Sequence, residues 1–99
     1  MSVIIDFSIF PTDKEASVSA YVAKAVKIIK ESGLPHQIGP MGTCIEGEWE
    51  EVMGIVNRCF ERMKEDSGRI YMTIKIDYRQ GPAGRLTGKV KSLEDKLAQ

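Results

Sequence analysis

The sequence predicts an α+β sandwich with the order strand–helix–strand–strand–helix–strand. Three observations carry this. Two long segments, Ser2–Phe10 and Arg69–Arg79, alternate with period two, as extended chain with two distinct faces does. Two segments, one ending near Ser32 and one starting after Gly47, repeat their apolar residues at helical spacing. Between the helices, a stretch rich in glycine and proline has room for only a short hairpin.

In the first strand Val3, Ile5, Phe7 and Ile9 share one face. Ile4, Asp6, Ser8 and Phe10 share the other, and Pro11, which has no N–H to donate, ends the run. Thr12–Ser17 is polar and leads into the first helix, whose stripe is Val18, Val22, Ala25 and Ile29 with Tyr21, Val26 and Ile28. Thr12, with Glu15 three residues on, or Ser17 is expected to cap it. Gly33 suits the left-handed position that closes a helix. Leu34–Gly39 reads as an edge strand because Pro35 stands at its start. Pro40-Met41-Gly42 turns the chain into a strand over Thr43–Glu46.

After Gly47, Glu48, Glu50 and Glu51 crowd the first turn of a helix, where negative charge complements the helix dipole. Trp49, Val52, Met53, Val56, Phe60 and Met63 form its stripe, and Ser67-Gly68 closes it. In the last strand Ile70, Met72, Ile74, Ile76 and Tyr78 read as a core face; Tyr71, Thr73, Lys75, Asp77 and Arg79 form a polar one. A loop follows over Gln80–Gly84. A short C-terminal helix is expected from about Ser92, with Leu86, Val90, Leu93 and Leu97 as an apolar stripe in need of a partner.

This βαββαβ order is the split βαβ, ferredoxin-like arrangement. Right-handed crossovers put both helices on one face of a four-stranded antiparallel sheet and leave the other face bare. That bare face is mixed in polarity, a surface suited to a second sheet or a ligand. The 99 residues are read as a single domain spanning 1–99. Fourteen Lys and Arg balance fourteen Asp and Glu, so whole-molecule charge gives no argument for nucleic acid or an anionic membrane. The opening MSVIIDFSIF lacks a basic leader region and is too short for a membrane helix, so a cytoplasmic protein is expected.

No GxxxxGKS/T or GxGxxG phosphate loop is present. Cys44 and Cys59 are not in CxxC spacing and, with His36 as the one histidine, do not make a zinc site from the usual ligands. No nucleophile–base pair stands out, and a non-enzymatic role is expected, with no cofactor and no metal. Asp6 and Asp77 are expected on the same open face, either in a salt-bridged surface with Lys75 or Arg79 or as an anionic site for a cationic or amino-substituted ligand. Trp49 serves either the core or as a stacking wall.

Three stretches, Ser17-Val-Ser-x-Tyr-Val22, Ser32-Gly-Leu34 and Gly39-Pro-Met-Gly-Thr-x-Ile-Glu-Gly47, resemble the small thiamine-binding-protein-like family. The likeness extends over nearly the whole chain, although Phe10–Glu15 is more charged and poorer in glycine than the corresponding turn of the family. The resemblance implies a ferredoxin-like subunit that assembles into dimers and tetramers through its sheets. It also implies binding of thiamine or its hydroxymethylpyrimidine part. An aminopyrimidine offers a donor beside a ring acceptor, and a thiazolium is a cation, so carboxylates, hydroxyls and aromatic faces suit them. On that basis Ser8 and Thr43 are the expected hydrogen-bonding residues, Glu46 and Asp77 the charge partners, and Trp49 the stacking wall. A structural or regulatory homo-oligomer without a dedicated small ligand is the competing expectation.

Overall fold

A computed structural model describes residues 2–15, 18–81 and 83–99. Its elements are β1 (Ser2–Pro11), α1 (Ser19–Glu31), β2 (His36–Ile38), β3 (Thr43–Gly47), α2 (Trp49–Lys64), β4 (Ile70–Arg79) and α3 (Arg85–Leu97). The strands form one antiparallel sheet in the order β2-β3-β1-β4. This is the ferredoxin-like α+β fold, with the C-terminal helix added.

The inner face of β1 drives the core. Val3, Ile5, Phe7 and Ile9 are all buried, beside Ile45 of β3 and Ala25, Ile29, Val52, Ile55, Val56, Cys59 and Met63 of the two helices. Glu48 and Glu51 form a capping box at the start of α2, with the Glu48 N–H donating to Glu51 Oε1 at 3.3 Å. Gly33 takes a φ of 76° at the end of α1, the left-handed geometry that glycine adopts without steric cost.

Four expectations change. The first helix begins at Ser19 with no side-chain cap. Thr12 does not cap it, because its N–H continues the sheet by donating to the Arg69 carbonyl at 2.9 Å. The other candidate cap, Ser17, lies outside the described residues. The inner face of β4 is only partly core: Met72, Ile76 and Tyr78 are exposed, Tyr78 to 58 %. The cause is position, since α1 and α2 pack on β1, β2 and β3 while β4 is the sheet edge. Trp49, at 51 % exposure, is likewise outside the core, because the phase of α2 buries Val52, Ile55, Val56, Cys59 and Met63 instead.

The fourth change concerns the outer face. The C-terminal helix starts at Arg85, seven positions ahead of Ser92, and Ser92 does not cap it. Its first turn docks on the outer sheet face, burying Leu86 and Ile4. So that face is bare only toward the Phe10 and Tyr71 end. Beyond Leu86 the stripe of Val90, Leu93 and Leu97 is exposed.

Candidate functional site

The sheet has a notch. β1 is ten residues long and β3 five. Their pairing ends at Phe7 opposite Thr43, while β1 runs on against β4 through Ser8–Thr73, Ile9–Met72, Phe10–Tyr71 and Pro11–Ile70. The β2–β3 turn closes this gap at one end, with the Gly39 N–H donating to the Gly42 carbonyl at 2.8 Å around Pro40 and Met41. Helix α1 closes it from the core side. The result is a cavity of about 580 Å³, within the range of small-molecule sites.

Its walls differ in character. Val18, at the N-cap of α1, with Val22, Ala25 and Ile29 of the helix, gives it an apolar floor. Asp6, Ser8, Thr73 and Lys75 bring hydroxyls and both signs of charge to the outer side, and Thr43, on the face of Phe7, adds a hydroxyl on the core side. Phe10 and Tyr71 add an aromatic pair with ring centroids 5.5 Å apart. Among the described residues, none of those five polar side chains makes a hydrogen bond or ion pair with another side chain or the main chain. Gly42 is required by the geometry of the rim: a Cβ there would stand 2.9 Å from Asp6 Oδ1 and 3.1 Å from the Phe7 carbonyl oxygen.

Of the five expected site residues, Ser8 and Thr43 line this cavity. The other three lie elsewhere. Glu46 is 2 % exposed, and its carboxylate caps α3, accepting hydrogen bonds from the N–H groups of Gly84 at 3.1 Å, Arg85 at 3.0 Å and Leu86 at 3.4 Å. Ser2 Oγ adds a fourth at 3.4 Å. Asp77 pairs with Lys89 and, at 3.3 Å, with Arg85, whose other terminal nitrogen donates to the Ser2 carbonyl at 3.1 Å. The Lys89 ammonium beside it, then Arg85, holds the Asp77 carboxyl below the usual aspartate range. Thus Asp77 is ion-paired, through α3 rather than through Lys75 or Arg79. Trp49 lines a separate cleft of about 240 Å³ with Ser2, Val3, Glu48 and Tyr78.

Asp6 does share the outer face with Asp77, two register positions away. Asp6, expected to form an anionic site with Asp77, lines the cavity without it; the cavity residues missed from the sequence as site candidates are Thr73, Lys75 and the α1 floor. The signal that points to them is the mismatch between a long first strand and a short hairpin.

The three remaining reactive side chains are placed conservatively. Cys59 is fully buried, with Sγ 3.6 Å from the Ala25 carbonyl, and burial pushes its thiol up to about 11. Cys44, half-buried beside Asp6, is also raised, first by burial and then by that carboxylate. His36 Nδ1 lies 2.9 Å from the Leu34 carbonyl, so it carries the proton. No cluster of metal-ligating side chains occurs among the described residues. No helix among them is long and apolar enough to cross a membrane.

Fold and site together define a ferredoxin-like α+β protein with a ligand-sized cavity in a notch of its sheet. Residues 5–94 match the profile of the thiamine-binding protein family, and the chain belongs to that family. A UPF0045 protein of Mycobacterium bovis is 38 % identical over 98 % of this chain and 96 % of its own. The crystal structure of a hypothetical protein of Methanocaldococcus jannaschii, 31 % identical, superposes with a TM-score of 0.86 over 94 % of this chain and 96 % of that one. A Thermotoga maritima protein described as one of thiamine biosynthesis or salvage superposes with a TM-score of 0.81 over 93 % of this chain and 99 % of that one; at 23 % identity it supports the fold alone.

Proposed function

We propose that this chain is a non-enzymatic binding protein for thiamine or its hydroxymethylpyrimidine moiety, and that the sheet-notch cavity holds the ligand. The observation that carries this reading is the set of hydroxyls and charges, unpaired among the described residues, that line a cavity floored by apolar residues of α1. Polar groups in folded proteins are mostly satisfied within the protein or by water, and a pocket with a few convergent polar groups is the usual form of a small-molecule site. The name of the matching family, thiamine-binding protein, supports thiamine or a part of it as the ligand class.

In this arrangement Ser8 and Thr43 offer hydroxyls, and Asp6 takes the charge-partner role for a thiazolium or amino group. Glu46 and Asp77 act on the ligand only indirectly, by docking α3. Phe10 and Tyr71 stand nearer the cavity than Trp49 and are the better stacking surface. Calorimetric titration with thiamine and with hydroxymethylpyrimidine tests the reading; no heat from either at protein concentrations suited to micromolar binding defeats it.

The second reading, a homo-oligomer without a dedicated ligand, is favoured by β4. It is ten residues long, lies at the sheet edge and exposes Met72, Ile76 and Tyr78. Long apolar edge strands invite pairing with another chain. We infer a homodimer or homotetramer in which β4 is covered by a second copy, a contact compatible with either reading. Light scattering checks it, and a monomer at high concentration rules it out.

A further inference from the structure

We propose that the main chain of Ile9 is the edge that reads the ligand, selecting a planar ring that carries a nitrogen acceptor next to an amino donor. This rests on the small-molecule reading above and sharpens it to one residue.

Hydrogen bonds outside the strands fix which way each residue of β1 points. The Thr12 N–H donates to Arg69 at 2.9 Å, one step past the Pro11–Ile70 pair, so the even-numbered residues of β1 address β4. On the other side, Glu46 N–H donates to the Pro35 carbonyl at 3.0 Å. Glu46 and Cys44 therefore address β2, while Thr43 and Ile45 address Phe7 and Ile5. Both routes give the same parity: the odd-numbered residues of β1 point their N–H and C=O toward β3.

Ile9 is odd-numbered, and β3 stops two residues short of it. Its N–H and C=O are directed into the notch. The residue is 4 % exposed and lines the cavity. Among the described residues, no hydrogen bond to its main chain arises outside the β1–β4 ladder. Buried backbone groups are almost always paired, so this pair marks a place for a guest. The next odd-numbered residue, Pro11, adds a carbonyl but no N–H, and the Gly39–Gly42 turn bounds the slot on its Phe7 side. The open edge is thus one residue long, too short for a peptide strand.

A ring lying in the sheet plane fills that slot. The N–H and C=O of one extended residue lie side by side, matching the adjacent ring nitrogen and amino group of an aminopyrimidine. The ring nitrogen accepts from Ile9 N–H, and the amino group donates to the Ile9 carbonyl. Ser8 and Thr43 flank the ring on opposite sides of the sheet, since Thr43 shares the face of Phe7 and Ser8 the face of Asp6.

Amide exchange by NMR on the isotope-labelled full chain tests this, with hydroxymethylpyrimidine bearing its amino group and a desamino analogue as probes. In the free protein the Ile9 amide should exchange much faster than those of Ile5 and Phe7. The aminated ring should slow it about tenfold or more, and the desamino analogue should bind about tenfold more weakly, the effect of one lost hydrogen bond. Protection of Ile9 equal to that of Ile5 and Phe7 in the free protein overturns the open edge. Binding of the aminated ring with unchanged Ile9 exchange overturns this inference and leaves the small-molecule reading standing. Failure of that ring to bind a protein whose Ile9 amide is open defeats the hydroxymethylpyrimidine assignment, and this inference with it.

Discussion

Gly42 occupies a position where a side chain has nowhere to go. The Phe7 carbonyl oxygen, 3.1 Å from a Cβ at that position, belongs to a strand backbone and does not swing aside. Gly42→Ala is expected to destabilise the fold by about 1–3 kcal/mol, the usual range for overpacking, measured as a lowered urea midpoint at unchanged slope. Cys59 makes a second residue-scale expectation. Its thiol, pushed up to about 11 by burial, is neutral at pH 8 and has no solvent access. A colourimetric thiol reagent should label Cys44 in the native protein and reach Cys59 only on unfolding; equal rates for the two would contradict the packing. Residues of this kind were partly legible in advance. Cys59 falls three residues after Val56 and four before Met63, in phase with the stripe expected for α2, so its burial follows from the helical period. Glu46 read as a ligand group, because nothing near it in the chain reveals that its partners lie about forty residues on.

That distance is what hid the third helix. Gly84, Arg85 and Leu86 carry no side-chain capping signal of their own; the cap is Glu46, from a different strand. Ser92, the expected start, lies inside the helix, and the tertiary cap overrides that local reading. Glu46→Ala takes the acceptor from three N–H groups at the start of α3 and should cost about 2 kcal/mol, seen as faster amide exchange through the first turn of α3 with the four-stranded sheet still protected. The Asp77 contacts add a pH dependence. The folded-state pKa of Asp77 is lowered from 3.8, chiefly by Lys89, so its stabilisation is fully present above that value and is lost as pH falls through the lower folded one. An acid titration of α3 protection should show this loss, and Asp77→Asn should remove that component of the pH dependence. The strands and the first two helices, by contrast, were legible because their signals are local: alternation, a helical stripe, Pro11, Gly33 and the glutamates after Gly47.

At the scale of the whole molecule, alternation identified the apolar face of β4 but not what covers it. A strand's sequence states that one face wants burial; whether a helix of the same chain supplies it depends on where the helices sit. Here they sit over β1, β2 and β3, and Ile76 and Tyr78 of β4 are exposed in the single chain. Ile76→Lys is expected to shift the mass measured by light scattering to a smaller species without unfolding the domain, since Ile76 is 45 % exposed in the single chain. The cavity is also a property of the whole, arising from the unequal lengths of β1 and β3 with α1 beneath. Only Ser8 and Thr43 among the expected site residues fall on it, because the sequence shows which residues share a face but not where a sheet leaves a gap. The most direct test of the central claim is calorimetric titration of hydroxymethylpyrimidine into the native chain and into a Val22→Trp variant, which places a large ring on the half-buried floor of the cavity. Saturable binding by the native chain, lost or weakened at least about tenfold in a variant that remains folded, is the predicted result. Equal affinity in the two proteins would place the ligand elsewhere, and the absence of heat with the native chain would contradict the assigned ligand itself.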